Sequence, residues 1–328
     1  LAKCLVAAEE IDAGTTIERE MLTARSPAKG ISPQHLYDVV GADARTPIAA
    51  GQAIAWSDIA EAETRAYDTS LDRWGVVVRH ADIDAHDWGG PAVFEVRING
   101  ADLDAAFATT ERDQQLGVHA PEQQGHEIVD LSATIEPKRR WAVEVLQAVI
   151  DKTRTEIAPS FPHTDTPPII IHPGGITEHR MTPEAIPEMN RALERSLSEL
   201  DAAGVELLVE NMPPLPWIYG GQRYHNNLMA ADEIAAFCER TGVRICYDTS
   251  HAKLWCTYAD VDLIEHAATL APHTAYLHIA DAAGVDGEGL QIGEGEIDWA
   301  ALQPVFADFT GPRITEIWRG HERAGAGF

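Results

Sequence analysis

The chain has 328 residues, of which 45% are hydrophobic and 23% charged, the balance of a globular protein rather than a disordered one. Its 25 Lys and Arg residues against 52 Asp and Glu residues give a net charge of −27. That charge disfavours nucleic acid and anionic membranes as partners, because phosphates bind Lys and Arg. No apolar run approaches the roughly 18 residues that a membrane span requires, and we expect no secretory leader.

Residues 1–60 contain short apolar runs that Gly, Pro and Ser interrupt, for example residues 4–8 and 54–56. The pattern predicts a compact, loop-rich β domain with one helical turn near residues 33–40. Residues 61–73 are polar and charged, and we interpret them as a linker. Because the first residue is Leu1 rather than Met, we expect a processed form or a piece of a longer protein.

From residue 74 onward, apolar runs rich in β-branched residues recur, with helical patterns between most of them. The runs are residues 75–78, 92–98, 116–119, 169–172, 205–209, 243–247, 275–279 and 313–317. They are continuously apolar, as strands buried on both faces of a parallel sheet are. Residues 74–328 are therefore predicted to be an α/β domain, a (β/α)₈ TIM barrel that lacks its last helix. The rival topology, an open doubly wound sheet, is disfavoured because no G-x-G-x-x-G follows the first run.

Active sites of such barrels lie where the strands end, and most of the predicted strands end in a carboxylate, an imidazole or a guanidinium. The strand-end residues are Arg79, His80, Arg97, His119, Glu122, His172, Glu210, Asp248, His251, His278, Asp281, Glu316, Arg319 and His321. A ring of Glu210, Asp248, His278 and Glu316 would collect three negative charges, which a divalent cation or bound protons must neutralise. Mixed carboxylate–imidazole sites suit Mn, Fe, Co or Zn better than Mg. The alternative is a solvated polar rim without a metal.

The strand ends carry several short motifs in a fixed order. They are His119-Ala120-Pro121, His172-Pro173-Gly174, Glu210-Asn211, Asp248-Thr249-Ser250-His251, His278-Ile279-Ala280-Asp281, the segment 292–299 and Glu316. In this combination they resemble the xylose-isomerase-like barrel family. That family includes sugar isomerases, ketose 3-epimerases, inosose-processing enzymes and the apurinic endonuclease IV group.

The resemblance implies roles for individual residues. The main metal ligands of the family match Glu210, Asp248, His278 and Glu316. With Glu210, His119 and His172 resemble a second, nuclease-like metal site, or they bind substrate hydroxyls; we expect one metal rather than two. Glu210 and Glu316 would transfer protons, and His251 would polarise the substrate. The basic residues expected to hold the sugar are Arg79, Arg97, Lys253, Arg319 and His321.

The loop after the seventh predicted strand departs from two branches of the family. Residues 286–293 lack the Asp-x-His pair that serves a third zinc in the nuclease branch. Together with the net charge of −27, this disfavours cleavage at apurinic sites. No Arg lies between Asp281 and Gly295, where the epimerase branch often holds its substrate with one.

Residues 1–60 carry a second resemblance. The matching segments are residues 5–8, 11–17, 21–22, 25–27, 30–33 and 41. They resemble the SAF domain, the antifreeze-like tail of sialic acid synthases. An SAF domain followed by such a barrel resembles the rear two thirds of fused proteins from nonulosonic-acid (sialic-acid-like) sugar pathways, so we expect a homo-oligomer or an association with a synthase barrel.

The four cysteines, Cys4, Cys238, Cys246 and Cys256, include no C-x-x-C pair and predict a reducing, cytoplasmic location rather than a disulfide framework. The leading hypothesis is a metal-dependent isomerase or epimerase of a sugar or sugar phosphate, acting in nonulosonic-acid biosynthesis. The second hypothesis is a non-catalytic sugar-binding or assembly domain of a larger synthase. The third is an endonuclease IV-like phosphodiesterase.

Overall fold

A computed structural model describes residues 4–25, 30–31, 35–59, 73–81, 83–84, 88, 90–107, 110–318 and 320. These residues form two compact units, residues 4–59 and a larger unit from residue 73 onward. The predicted linker lies outside the described residues apart from Arg73. Arg319, His321 and the segment where a last helix is expected to be missing also lie outside them.

The N-terminal unit is a small β domain. Strand β1 (Cys4–Ala7) pairs antiparallel with β2 (Leu22–Arg25), and a short helix α1 (Leu36–Val39) follows. Single bridges connect the rest of the chain: Val6 with Ala53, Ile11 with Ile48, Thr16 with Asp43, and Ala44 with Ile59. The apolar residues of the short runs are buried together, as expected for a loop-rich domain with one helical turn.

The larger unit contains the remaining strands. They are β3 (Trp74–Arg79), β4 (Val93–Arg97), β5 (Gln115–His119), β6 (Gln123–Gln124), β7 (Glu127–Ile128), β8 (Pro168–Ile171), β9 (Ile176–Thr177), β10 (Glu206–Glu210), β11 (Trp217–Ile218), β12 (Gly221–Gln222), β13 (Tyr224–His225), β14 (Arg244–Asp248), β15 (Thr274–Ile279), β16 (Asp281–Ala283), β17 (Gly287–Leu290) and β18 (Arg313–Thr315). Eight of them close into a parallel barrel in the order β3-β4-β5-β8-β10-β14-β15-β18. Each barrel strand overlaps one predicted run, so the TIM barrel is confirmed and the open sheet was the wrong alternative.

Helices cover the barrel from the third βα connection onward. They are α2 (Glu136–Lys152), α3 (Ile186–Ser198), α4 (Ala231–Thr241), α5 (Thr249–Ala259), α6 (Leu263–Leu270) and α7 (Trp299–Leu302). The Asp298 side chain caps α7 by accepting a hydrogen bond from the Ala301 N–H. Pro183–Ala185 forms a 3₁₀ turn immediately before α3. Among the described residues, no helix has both the length and the apolar character that a bilayer span requires.

The inside of the barrel changes from apolar to polar along seven of its eight strands. A buried apolar cluster fills one level, namely Val77, Val93, Ile170, Leu208, Cys246, Tyr276 and Ile314. Two residues further along the chain come Arg79, Glu95, His172, Glu210, Asp248, His278 and Glu316. Residues two apart in a strand face the same side, so the polar residues follow the apolar ones inside the barrel. This alternation collects the candidate site at the carboxyl ends of the strands.

Candidate functional site

Four predicted ligand residues form one cluster. Glu210, Asp248, His278 and Glu316 each offer a ligand atom, and these atoms lie within 4.8 Å of one another. The cluster centres on His278 Nδ1, which lies 2.6 Å from Glu316 Oε2, 3.1 Å from Glu210 Oε1 and 3.9 Å from Asp248 Oδ2. The structure therefore brings together the residues that the sequence grouped as a metal site.

Local hydrogen bonds hold two of these strand ends in place. Asp248 ends β14 and is also the N-cap of α5, where its Oδ1 accepts from the His251 N–H at 2.6 Å. Asn211, which follows Glu210, donates its side-chain amide to the Asp248 carbonyl and accepts from the Asp248 N–H. The Glu210-Asn211 motif thus joins β10 to β14 directly beside the cluster.

Burial and crowding shift the acidity of the cluster. Burial raises the pKa of Asp248 to about 7, and the carboxylates of Glu210 and Glu316 contribute to the rise. Burial would also raise the pKa of Glu210, but His278, His119 and His172 outweigh it and keep that pKa well below its ordinary value. Without a cation the Asp248 carboxyl group is therefore about half protonated at pH 7, as expected when like charges share a buried site.

The chemistry of the cluster fits a divalent cation. Glu316 Oε2 and Glu210 Oε2 are buried, yet neither makes a hydrogen bond of good geometry with any residue that the structure describes. Buried carboxylate oxygens without such partners are costly unless a cation or protons compensate them. Three carboxylates and one imidazole are donors that Mn, Fe, Co and Zn accept.

His119 and His172 approach the other side of Glu210. Glu210 Oε2 lies 2.9 Å from His172 Nε2 and 3.4 Å from His119 Nε2. His119 Nδ1 lies 2.8 Å from the Ala120 carbonyl, which can only accept, so Nδ1 carries a proton. The three side chains could hold a second cation, or they could bind hydroxyl groups.

Arg97 lies between two carboxylates. Its Nη1 donates to Glu316 Oε1 at 2.8 Å, and its Nη2 pairs with Glu122. Burial would raise the pKa of Glu122, but His172 and Arg97 outweigh it and lower that pKa to about 2. A side chain expected to hold the sugar is thus part of the charge network around the cluster.

Of the other predicted residues, His251 lies beside the cluster, with Nδ1 3.4 Å from Glu210 Oε1. His251 donates from Nδ1 to the Asn211 carbonyl at 2.9 Å, and its Nε2 lies 3.3 Å from Glu288 Oε1. Lys253 Nζ lies 3.4 Å from Glu296 Oε2. Arg79 ends β3 and is half-buried.

Sequence reasoning missed Glu95 and the pairings of Glu122 and Glu288. Glu95 is fully buried inside the barrel, and its Oε2 lies 2.8 Å from His278 Nε2. The sequence contained a signal for Glu95, because Val93, Glu95 and Arg97 occupy alternate positions of β4 and therefore face the same side of the sheet. A charged residue on the inner face of a buried strand is rare unless it is paired.

A closed parallel barrel with a polar cluster at the carboxyl ends of its strands defines the chain as a TIM-barrel protein. Residues 88–327 match the family model described as xylose isomerase-like TIM barrel, and the chain belongs to that family. Residues 2–60 match the SAF domain model. Both predicted resemblances are confirmed. A comparison with curated protein sequences finds no match.

Several solved structures share the barrel. A D-tagatose 3-epimerase-like protein aligns with a TM-score of 0.54 at 18% identity, over 75% of this chain and 90% of that one. An L-ribulose 3-epimerase aligns with a TM-score of 0.52 at 19% identity, over 76% of this chain and 82% of that one. A 3-keto-D-glucoside 4-epimerase from E. coli aligns with a TM-score of 0.52 at 14% identity, over 78% of this chain and 96% of that one. At these identities the likeness establishes the fold.

Proposed function

We propose that the chain is a metal-dependent isomerase or epimerase of a sugar or sugar phosphate. The observation that carries the proposal is the approach of two carboxylates, Glu316 and Glu210, to the same nitrogen of His278, at 2.6 and 3.1 Å. Glu210 is the last residue of β10 and Glu316 follows β18, and these two strands are three apart in the ring of eight. The sugar epimerases among the similar structures support the same class of reaction.

The cluster suits a reaction that moves a proton at a carbon beside a carbonyl. A divalent cation held by Glu210, Asp248, His278 and Glu316 would supply positive charge close to the oxygens of the sugar. Glu210 and Glu316 would then serve as base and acid, one removing the proton and the other returning one to the opposite face. His251, with Nδ1 fixed on the Asn211 carbonyl, would direct Nε2 to a substrate oxygen.

We propose a single Mn, Co, Zn or Fe ion at this cluster, with His119 and His172 binding substrate hydroxyls. Nδ1 of His119 is occupied by the Ala120 carbonyl, which leaves Nε2 to accept a hydrogen bond. Elemental analysis of the purified protein should give about one equivalent of metal. Two equivalents that fall to one in His172→Ala would contradict the single ion.

The SAF domain and the cysteines indicate a pathway for the substrate and a cellular compartment for the protein. We place the substrate among the amino sugars of nonulosonic-acid biosynthesis, because an SAF domain precedes the barrel. All four cysteines are free thiols, which supports a reducing, cytoplasmic setting. Arg79, Lys253, Arg319 and His321 remain our candidates for binding the sugar, and a homo-oligomer or a synthase barrel remains the proposed protein partner.

Solvent exchange tests the proposed reaction. The protein is incubated in heavy water with Mn²⁺ or Co²⁺ and a panel of ketoses, their phosphates and N-acylated amino sugars. A sugar that is turned over should gain deuterium at the carbon beside its carbonyl, as NMR would record. Glu210→Gln and Glu316→Gln should each abolish the exchange while circular dichroism shows that the barrel still folds.

Glu206→Gln is the matched control, because Glu206 lies at the opposite end of the same strand and pairs with Arg244. It should retain full exchange. Exchange that persists in both Glu210→Gln and Glu316→Gln would refute their roles. No exchange with any sugar, combined with saturable sugar binding, would instead favour the non-catalytic binding domain.

A further inference from the structure

The two nitrogens of the His278 ring face different surroundings. Nδ1 faces the three carboxylates of the cluster, with the nearest oxygen at 2.6 Å. Nε2 faces away from them and lies 2.8 Å from Glu95 Oε2. Both side chains are fully buried, with 0% of each exposed.

We propose that Glu95 is a positioning residue, which holds the His278 proton on Nε2 so that Nδ1 is the atom that binds the cation. The inference rests on the proposed function, because it concerns the same cation site. A neutral imidazole carries one proton, and a nitrogen that binds a metal cannot carry it. With a cation at Nδ1 the proton must therefore lie on Nε2, where Glu95 Oε2 accepts it. Such carboxylate partners orient metal-binding histidines and make them better donors.

The strand that carries Glu95 makes its placement specific. Phe94 and Val96 pack into the core outside the barrel sheet, whereas Val93 belongs to the cluster inside it. Glu95 lies two residues after Val93, and its inward direction follows from strand periodicity. An apolar side chain there would spare the protein the desolvation of a carboxylate. The stability of the barrel therefore gives no reason for Glu95, and the contact with His278 does.

Metal affinity tests the inference without relying on activity. Isothermal titration calorimetry with Co²⁺ alone should show that Glu95→Leu binds the ion 10- to 100-fold more weakly than the wild type. Glu95→Gln should recover much of the affinity, because its amide oxygen can still accept from Nε2. Asp281→Asn is the matched control. Asp281 is equally buried but accepts hydrogen bonds from Gly293, Ile297 and the Trp299 indole, so its loss should lower the melting temperature and leave Co²⁺ affinity unchanged.

A second measurement reports the position of the proton. ¹⁵N–¹H correlation spectra of the Zn²⁺-loaded, histidine-labelled protein should place the His278 proton on Nε2, with the signal assigned by its absence in His278→Asn. Wild-type affinity in Glu95→Leu would overturn the role of Glu95 and leave the proposed function standing. A proton on Nδ1 in the loaded wild type would overturn the role of Glu95 and also remove His278 from the proposed ligands. A wild-type protein that binds no divalent cation would overturn both.

Discussion

Arg97 and Glu316 are 219 positions apart in the chain, and they meet at the carboxyl ends of β4 and β18 with Arg97 Nη1 2.8 Å from Glu316 Oε1. The other arm of the guanidinium pairs with Glu122. A fixed positive charge thus borders the cluster that we assign to a cation. It lowers the cost of gathering the carboxylates, and it also repels any cation bound beside them.

Arg97→Met should therefore affect the metal-free and metal-bound proteins in opposite directions. Without metal, loss of the guanidinium removes one of the positive charges that stabilise Glu122 and Glu316, and the melting temperature should fall. With Mn²⁺ or Co²⁺, loss of the repulsion should strengthen binding by on the order of tenfold, so added metal should raise the melting temperature of the variant more than that of the wild type. Thermal unfolding with EDTA and with metal measures both effects. Weaker metal binding in the variant would mean that Arg97 serves mainly to orient Glu316.

The fold could be predicted from sequence because its signals are local. Each barrel strand overlaps a mostly apolar run, and the carboxyl ends of the strands lie at one rim by topology alone. The candidate ligand residues Glu210, Asp248, His278 and Glu316 could be grouped for the same reason, since each stands at or next to a strand end.

The pairings within the site were not predictable in the same way. The contact of Arg97 with Glu122 and Glu316, and that of His251 with Glu288, depend on which strands and loops become neighbours. Helix α5 begins at Thr249 immediately after β14 because Asp248 is its N-cap, a double role that the motif did not reveal. Glu95 could have been found, because the two-residue period of β4 points it inward.

Acidification should destabilise the barrel through His266. Its Nε2 donates to the Met229 carbonyl and its Nδ1 accepts from the Tyr247 hydroxyl, so the neutral ring already satisfies both partners. Burial lowers the pKa of His266 below its ordinary value. Below about pH 6.5 the unfolded chain binds a proton that the folded protein does not, and stability falls by up to about 1.4 kcal/mol per pH unit until the folded pKa is reached.

Urea unfolding between pH 7.5 and 5.5 measures this effect. His266→Gln keeps a donor and an acceptor but cannot titrate, so its free energy of unfolding should fall by about 1 kcal/mol less than that of the wild type over this range. An equal fall in both proteins would show that other groups cause the pH dependence.

Arg139 should be a main link between α2 and α3. Its side chain is 1% exposed, and its Nη2 contacts the carboxylates of Glu136 and Glu199 while Nη1 donates to Ser196 Oγ at 3.2 Å. Arg139→Ala should lower the free energy of unfolding by about 3 kcal/mol, because it removes both the packing and the charge. Arg139→Met restores most of the volume and should cost about half as much. Equal losses in the two variants, measured by urea unfolding, would attribute the whole effect to charge.

Gly117 should be required for the close packing of Tyr276 across the inside of the barrel. A Cβ atom at position 117 would lie less than 3.0 Å from Tyr276 Oη, so either the buried Tyr276 ring or the backbone of the strand must shift to relieve the contact. Gly117→Ala should therefore cost about 1–3 kcal/mol of unfolding free energy. Tyr276→Phe removes the oxygen that clashes, so in that background the same substitution should cost at least about 1 kcal/mol less. The double-mutant cycle separates this specific contact from the general effect of a larger residue in β5.

Because the Tyr276 ring also lies edge-on to His278 with centroids 5.7 Å apart, Gly117→Ala should weaken Co²⁺ binding as well, and the Tyr276→Phe background should restore it. If the losses of unfolding free energy in Gly117→Ala and Tyr276→Phe simply add in the double variant, the strand tolerates the methyl group by moving away from Tyr276.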